Sequence, residues 1–348
     1  MQKNIRAYGL FLLMTLSILS CKKSNDSNNS GTTNTGGTNT GVTPGDSTTG
    51  VSTFAGNVTS KGSLSTPTGI CFDSQGNLYV TEVTYSDVKK IDASGNITLF
   101  TGQSSNPGCE DVGSTLTDPG GIWFAHDSIY VADHICSHVK TFSLTGTAKT
   151  YLFNNPNNYF QEPVGICFDN TGNVFIANEF GTEDILEITP TGQLIEYGDG
   201  TQAVKDGSAA TAEFGIVSSI CADNNGNIYI ADSHRIRRIA NGTVTTMAGN
   251  NNLGAADGQG SAASFGGAMG LCTDSKGNVY IADIDNSNIR MMTPGGQVTT
   301  IAGNGSAGYR EGAKGQAQFS APSGVCVDGK GNLFVADYGN NVIRKIVL

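Results

Sequence analysis

The chain is poor in charged residues, in basic residues above all, and in long apolar segments. Charged residues make up 14% of its 348 positions, and 20 Lys and Arg stand against 30 Asp and Glu, a formal net charge of −10. A protein with this balance gains no affinity for nucleic acid from counterion release, which excludes a nucleic-acid partner. The apolar run from Leu10 to Leu19 is too short to cross a bilayer as a folded anchor.

Glycine, by contrast, is abundant, with 47 residues, about twice the usual share near 7%. Each interior Gly costs a helix about 1 kcal/mol, so this density excludes a helical bundle. The glycines do not recur at every third position, which excludes a collagen helix. Hydrophobic residues make up 38% of the chain, enough for a packed core. A chain of this length could hold several domains, but all-β folds can run longer as one.

The first 20 residues have the pattern of an export signal, with Lys3 and Arg6 ahead of the apolar run. The run ends in Ile18-Leu19-Ser20-Cys21, which resembles the lipobox of bacterial lipoproteins. That resemblance implies cleavage before Cys21, a lipid on Cys21 and a location in the bacterial cell envelope, held to a membrane by acyl chains. The alternative is an ordinary cleaved signal followed by an unrelated cysteine.

Residues 22–50 are rich in Ser, Thr, Asn and Gly and nearly devoid of apolar side chains. Such a segment cannot offset the entropy lost on ordering, so a flexible tether is expected over residues 21–50. As a random coil it would extend about 30 Å. The predicted organisation is therefore a signal over residues 1–20, a tether over 21–50 and a globular part over 51–348.

The globular part contains a unit that recurs six times at intervals of roughly 50 residues. Each unit predicts four short strands separated by tight, glycine-containing turns. The first strands and the residues that follow them are Pro67–Asp73, Pro119–Ala125, Pro163–Asp169, Val217–Asp223, Ala268–Asp274 and Pro322–Asp328.

The two ends of the array predict how it closes. The last unit stops after its third strand, at Val342–Leu348, and therefore lacks a fourth. Val51–Asn57, ahead of the first unit, matches the fourth strands Val244–Asn250 and Val298–Asn304. A closed, all-β ring of six blades, a six-bladed β-propeller with the N-terminal strand completing the last blade, uses every strand and protects the strand edges. An open solenoid would leave both half-blades unpaired.

These units resemble NHL repeats, whose motifs are Pro-x-Gly followed by an apolar strand and Asp, then Gly-Asn, an apolar strand and Ala-Asp, then Asn-x-Ile-Arg. The resemblance is strongest in units five and six, as in Tyr280–Asp283 and Phe334–Asp337. Unit two departs most, with Trp123 where other units have Cys. The resemblance implies a propeller fold and leaves the function open.

Six-bladed relatives that act as lyases or lactonases place metal ligands at the start of the innermost strands. The matching positions in this chain are Gly69, Gly121, Gly165, Ser219, Gly270 and Gly324. None of these residues is a good ligand, and this observation weighs against a metalloenzyme.

The cysteines other than Cys21 fall into two groups. Five occupy one repeated strand position, where small buried packing is favoured over a metal or redox cluster: Cys71, Cys167, Cys221, Cys272 and Cys326. Cys109 and Cys136 lie in two loops that share one face of a propeller. We expect them to form a disulfide, in keeping with an oxidising compartment.

Loops on this same face carry aromatic and histidine side chains that vary between units. They are Tyr85, His134, Phe180, His234 and Tyr338 after the second strands, and Tyr159, Phe160 and Tyr309 in the connecting loops that lead into each unit. Aromatic loop tips favour a ligand-binding surface. The alternative is that several of them fold back onto the blades.

Two functions remain open from the sequence. The first is a lipid-anchored binding module, without a cofactor, that presents one propeller face to a protein, peptide or glycan. The second is a metal-dependent lyase or lactonase that uses zinc or calcium, with His134, His138 and His234 as ligands. The Asp and Arg residues that recur once per unit, such as Asp283 and Arg290, are expected to pair locally within each blade.

Overall fold

The computed structural model of the protein describes residues 50–56, 62–102, 109, 113–149, 161–179, 184–198 and 204–348. Within these ranges the regular elements are β-strands and three single-turn 3-10 helices. No helix in the described part is long and apolar enough to cross a membrane. The predicted signal, Cys21, nearly all of the tether, Tyr159, Phe160 and Phe180 lie outside the described residues.

The strands form six antiparallel sheets, one for each predicted unit, and the N-terminal strand is β1 (Val51–Ala55). Blade 1 contains β2 (Pro67–Phe72), β3 (Leu78–Glu82), β4 (Asp87–Ile91) and β5 (Ile97–Gly102). Blade 2 contains β6 (Pro119–Ala125), β7 (Ser128–Asp133), β8 (His138–Ser143) and β9 (Ala148–Lys149). Blade 3 contains β10 (Pro163–Phe168), β11 (Val174–Asn178), β12 (Ile185–Ile188) and β13 (Leu194–Tyr197).

Blades 4 and 5 each gain a fifth, two-residue strand from the connecting loop in front of them. Blade 4 contains β14 (Gly207–Ser208), β15 (Val217–Ala222), β16 (Ile228–Asp232), β17 (Arg235–Ala240) and β18 (Thr243–Gly249). Blade 5 contains β19 (Gly258–Gln259), β20 (Ala268–Thr273), β21 (Val279–Asp283), β22 (Asn288–Met292) and β23 (Gln297–Ala302), with a 3-10 turn at Gly260–Ala262. Blade 6 contains β24 (Pro322–Val327), β25 (Asn332–Asp337) and β26 (Val342–Val347), with 3-10 turns at Lys314–Gln316 and Tyr338–Asn340.

Strand β1 closes the ring as the sequence predicted. It pairs antiparallel with β26, with Val51 opposite Ile346, and the sheet order is β1-β26-β25-β24. The connecting loop ahead of blade 6 fastens this strand: Glu311 Oε1 accepts a hydrogen bond from Thr53 N at 2.9 Å, and Tyr309 Oη lies 2.6 Å from Thr53 Oγ1. The fold is therefore a closed six-bladed propeller.

The tight turn between the first two strands of a blade is built by one aspartate. In blade 1, Asp73 Oδ1 accepts hydrogen bonds from the backbone N–H of Gln75 and Asn77, both at 2.9 Å, and Gly76 adopts a φ of +82°. A positive φ is strained for residues with a Cβ, which explains the recurring glycine. The same aspartate geometry recurs in blades 3, 4, 5 and 6.

Glycines near the start of the inner strands allow neighbouring blades to approach closely. A Cβ on Gly270 would lie 2.1 Å from Ser323 O, and one on Gly324 would lie 2.1 Å from Thr68 O. Side chains at these positions would point into the adjacent blade and collide with its backbone. In the sequence analysis these positions were compared with the metal-ligand positions of enzyme relatives. In this propeller they are packing contacts between neighbouring blades.

The hydrophobic core is divided into six clusters, one at each interface between neighbouring blades. All five cysteines of the repeat lie buried and unoxidised in these interfaces. Burial raises the pKa of each thiol well above its ordinary range. The thiols are therefore protonated and unreactive in the folded state, as packing residues are.

Candidate functional site at the propeller mouth

Two sets of equivalent positions surround one end of the central channel, and we call them together the mouth. The first set precedes the inner strands: Thr66, Asp118, Glu162, Ile216, Gly267 and Ala321. The second follows the second strands: Val83, His134, Glu179, Ser233, Ile284 and Tyr338. Backbone hydrogen bonds join the two sets in blades 2 to 5, for example from His134 N to Asp118 O at 3.3 Å and from Ser233 N to Ile216 O at 2.7 Å.

Three carboxyl groups surround the imidazole of His134 in this mouth. His134 Nδ1 lies 3.2 Å from Asp118 Oδ2, and His134 Nε2 lies 3.2 Å from Glu179 Oε2 and 3.7 Å from Glu162 Oε2. Asp118 and His134 belong to blade 2, whereas Glu162 and Glu179 belong to blade 3. The cluster therefore bridges two blades, and His134 is buried within it.

The electrostatics of the cluster fix the charge of the imidazole. Burial alone would lower the pKa of His134, but its hydrogen bonds to Asp118 and Glu179 raise the pKa to about 10. Burial raises the pKa of Glu162 above its ordinary value. At neutral pH, His134 is an imidazolium that faces the Asp118 carboxyl with Nδ1 and the Glu179 carboxyl with Nε2. Neither nitrogen then offers a lone pair to a metal ion.

The surroundings of the cluster include two further buried groups. Burial raises the pKa of Asp133, the residue before His134, to about 7. Burial, with a smaller contribution from the Asp118 carboxylate, raises the pKa of the Tyr338 phenol. Tyr338 belongs to blade 6, so the charge of Asp118 in blade 2 acts on a residue at another part of the mouth.

In blades 4 to 6 the mouth positions themselves carry no charged side chain and are largely apolar. They hold Ile216, Ser233, Gly267, Ile284, Ala321 and Tyr338. Ile216 is 40% exposed there, and Ile135, next to His134, is 58% exposed. The mouth thus presents a carboxylate-rich half beside an apolar half, although all six blades follow one repeat.

A disulfide links the polar half to the connecting loop ahead of blade 2. Cys109 and Cys136 are bonded, with their Cα atoms 5.1 Å apart, which is the pairing that their loop positions predicted. Cys136 lies two residues after His134. The disulfide therefore ties the segment that carries the imidazole to a second point of the chain.

The aromatic residues singled out from the sequence have different environments. Tyr85 is 43% exposed, and its ring lies 5.8 Å from Lys89 Nζ. Tyr338 is buried in its 3-10 turn, which fits the alternative that some of these side chains fold back onto the blades and not an exposed loop tip. Tyr309 is partly exposed, but its hydroxyl contacts Thr53 and Glu311 and its ring covers the Arg344 guanidinium, so it serves ring closure.

The three histidines of the alternative metal site are not gathered into one group. His134 contacts carboxylates between blades 2 and 3, His138 opens β8 opposite Asp133, and His234 acts electrostatically on Asp285 of blade 5. Among the residues that the structure describes, no group of three or more His, Cys, Asp or Glu side chains could hold a metal ion.

Sequence reasoning identified His134 but missed Asp118, Glu162 and Glu179. The signal was present in the repeat: these acids occupy positions where the other blades have Thr, Ile, Gly, Ala, Val, Ser or Tyr. Aligning the units at the residue before each inner strand would have singled out two of the three acids.

The architecture and its closed ring define the protein as a six-bladed β-propeller. Within it, residues 319–346, which form most of blade 6, match the family model of the NHL repeat. A curated relative, Protein SUPPRESSOR OF QUENCHING 1, chloroplastic, of Arabidopsis thaliana, is 29% identical over an alignment of 203 residues that covers 53% of this chain and 19% of that protein. The chain thus spans about a fifth of that relative's length.

Two solved structures show the same fold at low sequence identity. One is an auxiliary nutrient binding protein from Bacteroides thetaiotaomicron, 19% identical, covering 85% of this chain and 76% of its own, with a TM-score of 0.67. The other is a catalytically inactive virginiamycin B lyase from Staphylococcus aureus with quinupristin, 16% identical, covering 81% and 80%, with a TM-score of 0.53. At these identities the likeness concerns the fold alone.

Proposed function

We propose that the protein is a lipid-anchored binding protein of the bacterial cell envelope that captures a ligand at its mouth. The ligand is a protein, peptide or glycan that presents a positively charged group beside an apolar one. The lipid on Cys21 and the tether hold the propeller near a membrane, and no cofactor takes part. A fold neighbour named as a nutrient-binding protein supports a role in capture.

The observation that carries this proposal is the departure of the mouth from the repeat. A feature present in every blade serves the blade, whereas a cluster found once serves something else. Asp118, Glu162 and Glu179 carry up to three negative charges against the one positive charge of His134. A cationic group would complement the excess, and Ile135 and Ile216 would contact apolar parts of the same ligand.

The test is capture of defined probes by the mature protein. We expect arrays of peptides and glycans to show binding to lysine-, arginine- or amino-sugar-bearing members, weakened by added salt because the attraction is electrostatic. The double variant E162Q/E179Q should bind those members at least about tenfold more weakly, equivalent to about 1.4 kcal/mol.

A matched control removes one acid from the opposite face. Asp127 lies exposed in the turn between β6 and β7, at the far end of blade 2 from the mouth. Asp127→Asn should leave capture unchanged. Equal binding by wild type and E162Q/E179Q, or a preference for anionic probes, would refute the proposed ligand class.

The lyase or lactonase alternative has less support from the site. It requires neutral histidines that converge on one metal ion, whereas His134 is held as an imidazolium and His234 lies at another blade interface. Metal analysis of the purified protein tests it directly: stoichiometric zinc or calcium, with a thermal shift on chelation, would favour the enzyme over the binding protein.

A further inference from the structure

The one tryptophan of the chain occupies a position of the repeat that is otherwise reserved for a small residue. Trp123 lies in β6 opposite Tyr130 of β7. The equivalent residue in each of the other five blades is a buried cysteine. An indole is several times larger than a thiol, so the repeat must accommodate its extra volume somewhere.

The contacts of Trp123 show where this volume lies. Cys167 packs within the cluster between blades 3 and 4, and Cys221 packs within the cluster between blades 4 and 5, each at its own interface. Trp123 packs against both of these clusters and also against the cluster between blades 2 and 3. The inner strand of blade 3 lies between blade 2 and blade 4 along the wall of the ring, so a side chain that starts in blade 2 reaches the cluster between blades 4 and 5 only through the central channel.

The cysteines around Trp123 form one layer. Each inner-strand thiol lies close enough to its neighbour to affect it electrostatically, from Cys167 to Cys221, Cys272, Cys326 and Cys71 in turn around the ring. Trp123 occupies the sixth equivalent position of this ring, in blade 2. The indole therefore lies across the channel at the level of the thiols, where an open ring of six small residues would leave a passage.

We propose that Trp123 closes the central channel, so that the mouth is a one-ended binding site. The inference rests on the proposed function for the location of the ligand. Trp123 is four residues along β6 from Pro119 at the mouth, about 13 Å at the rise of an extended strand. A ligand can enter no deeper than this. A linear peptide or glycan is therefore recognised by an end or a side group and does not thread through the ring.

The experiment measures the alkylation of buried thiols in the native, unreduced protein by N-ethylmaleimide, with each site identified by mass spectrometry. Trp123→Cys restores the residue of the repeat and should fold. We expect Cys167 and Cys221 to react at least about tenfold faster in this variant than in wild type, because the reagent gains access along the axis. Trp123→Leu, which retains an apolar side chain, serves if the first variant does not fold, with the same direction expected.

The matched control is Phe142→Ala, which removes a fully buried aromatic ring from β8 in the cluster between blades 1 and 2. It should leave the reactivity of Cys167 and Cys221 at the wild-type rate. Unchanged rates in a folded Trp123 variant would overturn the proposal, as would equal acceleration in the control. Alkylation needs no ligand, so this outcome is separate from failure of the mouth to bind cationic probes.

Discussion

Blades 4 to 6 and blades 1 to 3 end their second strands in different ways. In blades 4, 5 and 6 a buried aspartate pairs with a fully buried arginine: Asp232 with Arg237 at 2.6 Å, Asp283 with Arg290 at 2.8 Å and Asp337 with Arg344 at 3.0 Å. In blades 1 and 2 the arginine is replaced by Lys89 and Lys140, at 3.5 Å from Glu82 and 3.7 Å from Asp133. Blade 3 has Leu186 at that position.

The arginine fastens a connecting loop as well as a carboxylate. Arg290 stacks over the Phe265 ring at 5.2 Å and donates to the carbonyl oxygens of Ser264 and Ala256 and to Asp257. Arg237 stacks in the same way over the Phe214 ring, and Arg344 stacks over the Phe319 ring. A planar guanidinium can satisfy several acceptors at once, which a lysine ammonium cannot match in geometry.

In the lysine blades the carboxylate oxygen that faces the ammonium is not hydrogen-bonded. Within the described residues, Glu82 Oε2 and Asp133 Oδ2 have no hydrogen-bond partner, whereas each of the three arginines donates to its aspartate and leaves only its own Nε without a partner. Burial raises the pKa of Glu82 and of Asp133 to about 7. The half of the ring that is less regular as a scaffold is also the half that carries the His134 cluster. Blades 4 to 6 are therefore the more regular part of the scaffold, and blades 2 and 3 carry the cluster on which the proposed binding depends.

Removal of one arginine tests whether the Asp–Arg pairs hold blades 4 to 6 more firmly than the lysine pairs hold blades 1 and 2. Arg290→Ala leaves Asp283 buried without its charge partner and releases a connecting loop, so the free energy of unfolding should fall by about 3–5 kcal/mol. Urea unfolding followed by circular dichroism measures it. Lys140→Ala should cost clearly less, and Arg310→Ala, at an exposed position, should cost under about 0.5 kcal/mol. Equal losses for Arg290 and Lys140 would remove the distinction between the two halves.

The disulfide is expected to have the next largest effect, because in blade 2 it ties down a connecting loop as arginine does in blades 4 to 6. The double variant C109S/C136S opens a loop defined by a sequence separation of 27. The loss of unfolding free energy should be about 3 kcal/mol. Wild-type protein unfolded with a reducing agent should show the same loss. If reduction leaves the unfolding curve unchanged, the bond does not stabilise the native fold.

The smallest effect concerns the pH dependence contributed by His134. Its pKa rises from 6.5 to about 10 on folding, so its stabilisation is fully present below pH 6.5 and is lost as the pH rises through 10. We expect His134→Gln to lower stability by about 2 kcal/mol at pH 6 and by much less at pH 10. Imidazole resonances of the wild type that titrate near pH 6.5 for all four histidines would contradict the cluster.

The fold was predictable from sequence because every unit repeats the residues that form its turns and its strands. The Asp-to-Asn turns, the alternating strands and the matching of Val51–Asn57 with later fourth strands together implied six blades and their closure. The local pairing of Asp283 with Arg290 was predictable for the same reason. Each of these features depends on residues close in sequence or on a comparison of one unit with another.

The site was only partly predictable, because the mouth joins residues that no single unit contains. His134 was identified, but its partners Glu162 and Glu179 come from the next blade. The aromatic loop residues were selected by type alone, which cannot show whether a side chain folds back: Tyr338 is buried and Tyr309 fastens β1. Trp123 was noticed as an exception to the repeat, but the sequence could not show that it packs against three separate blade interfaces.

The class of fold, the number of blades and the manner of closure follow from the amino-acid sequence, since each unit repeats the residues that form its turns and strands. Tertiary structure decided which side chains meet across blades, the charge of His134, and whether a glycine faces the channel or a neighbouring strand. These depend on distances and burial that exist only once the ring has closed, because desolvation and charge pairing act between residues far apart in the chain.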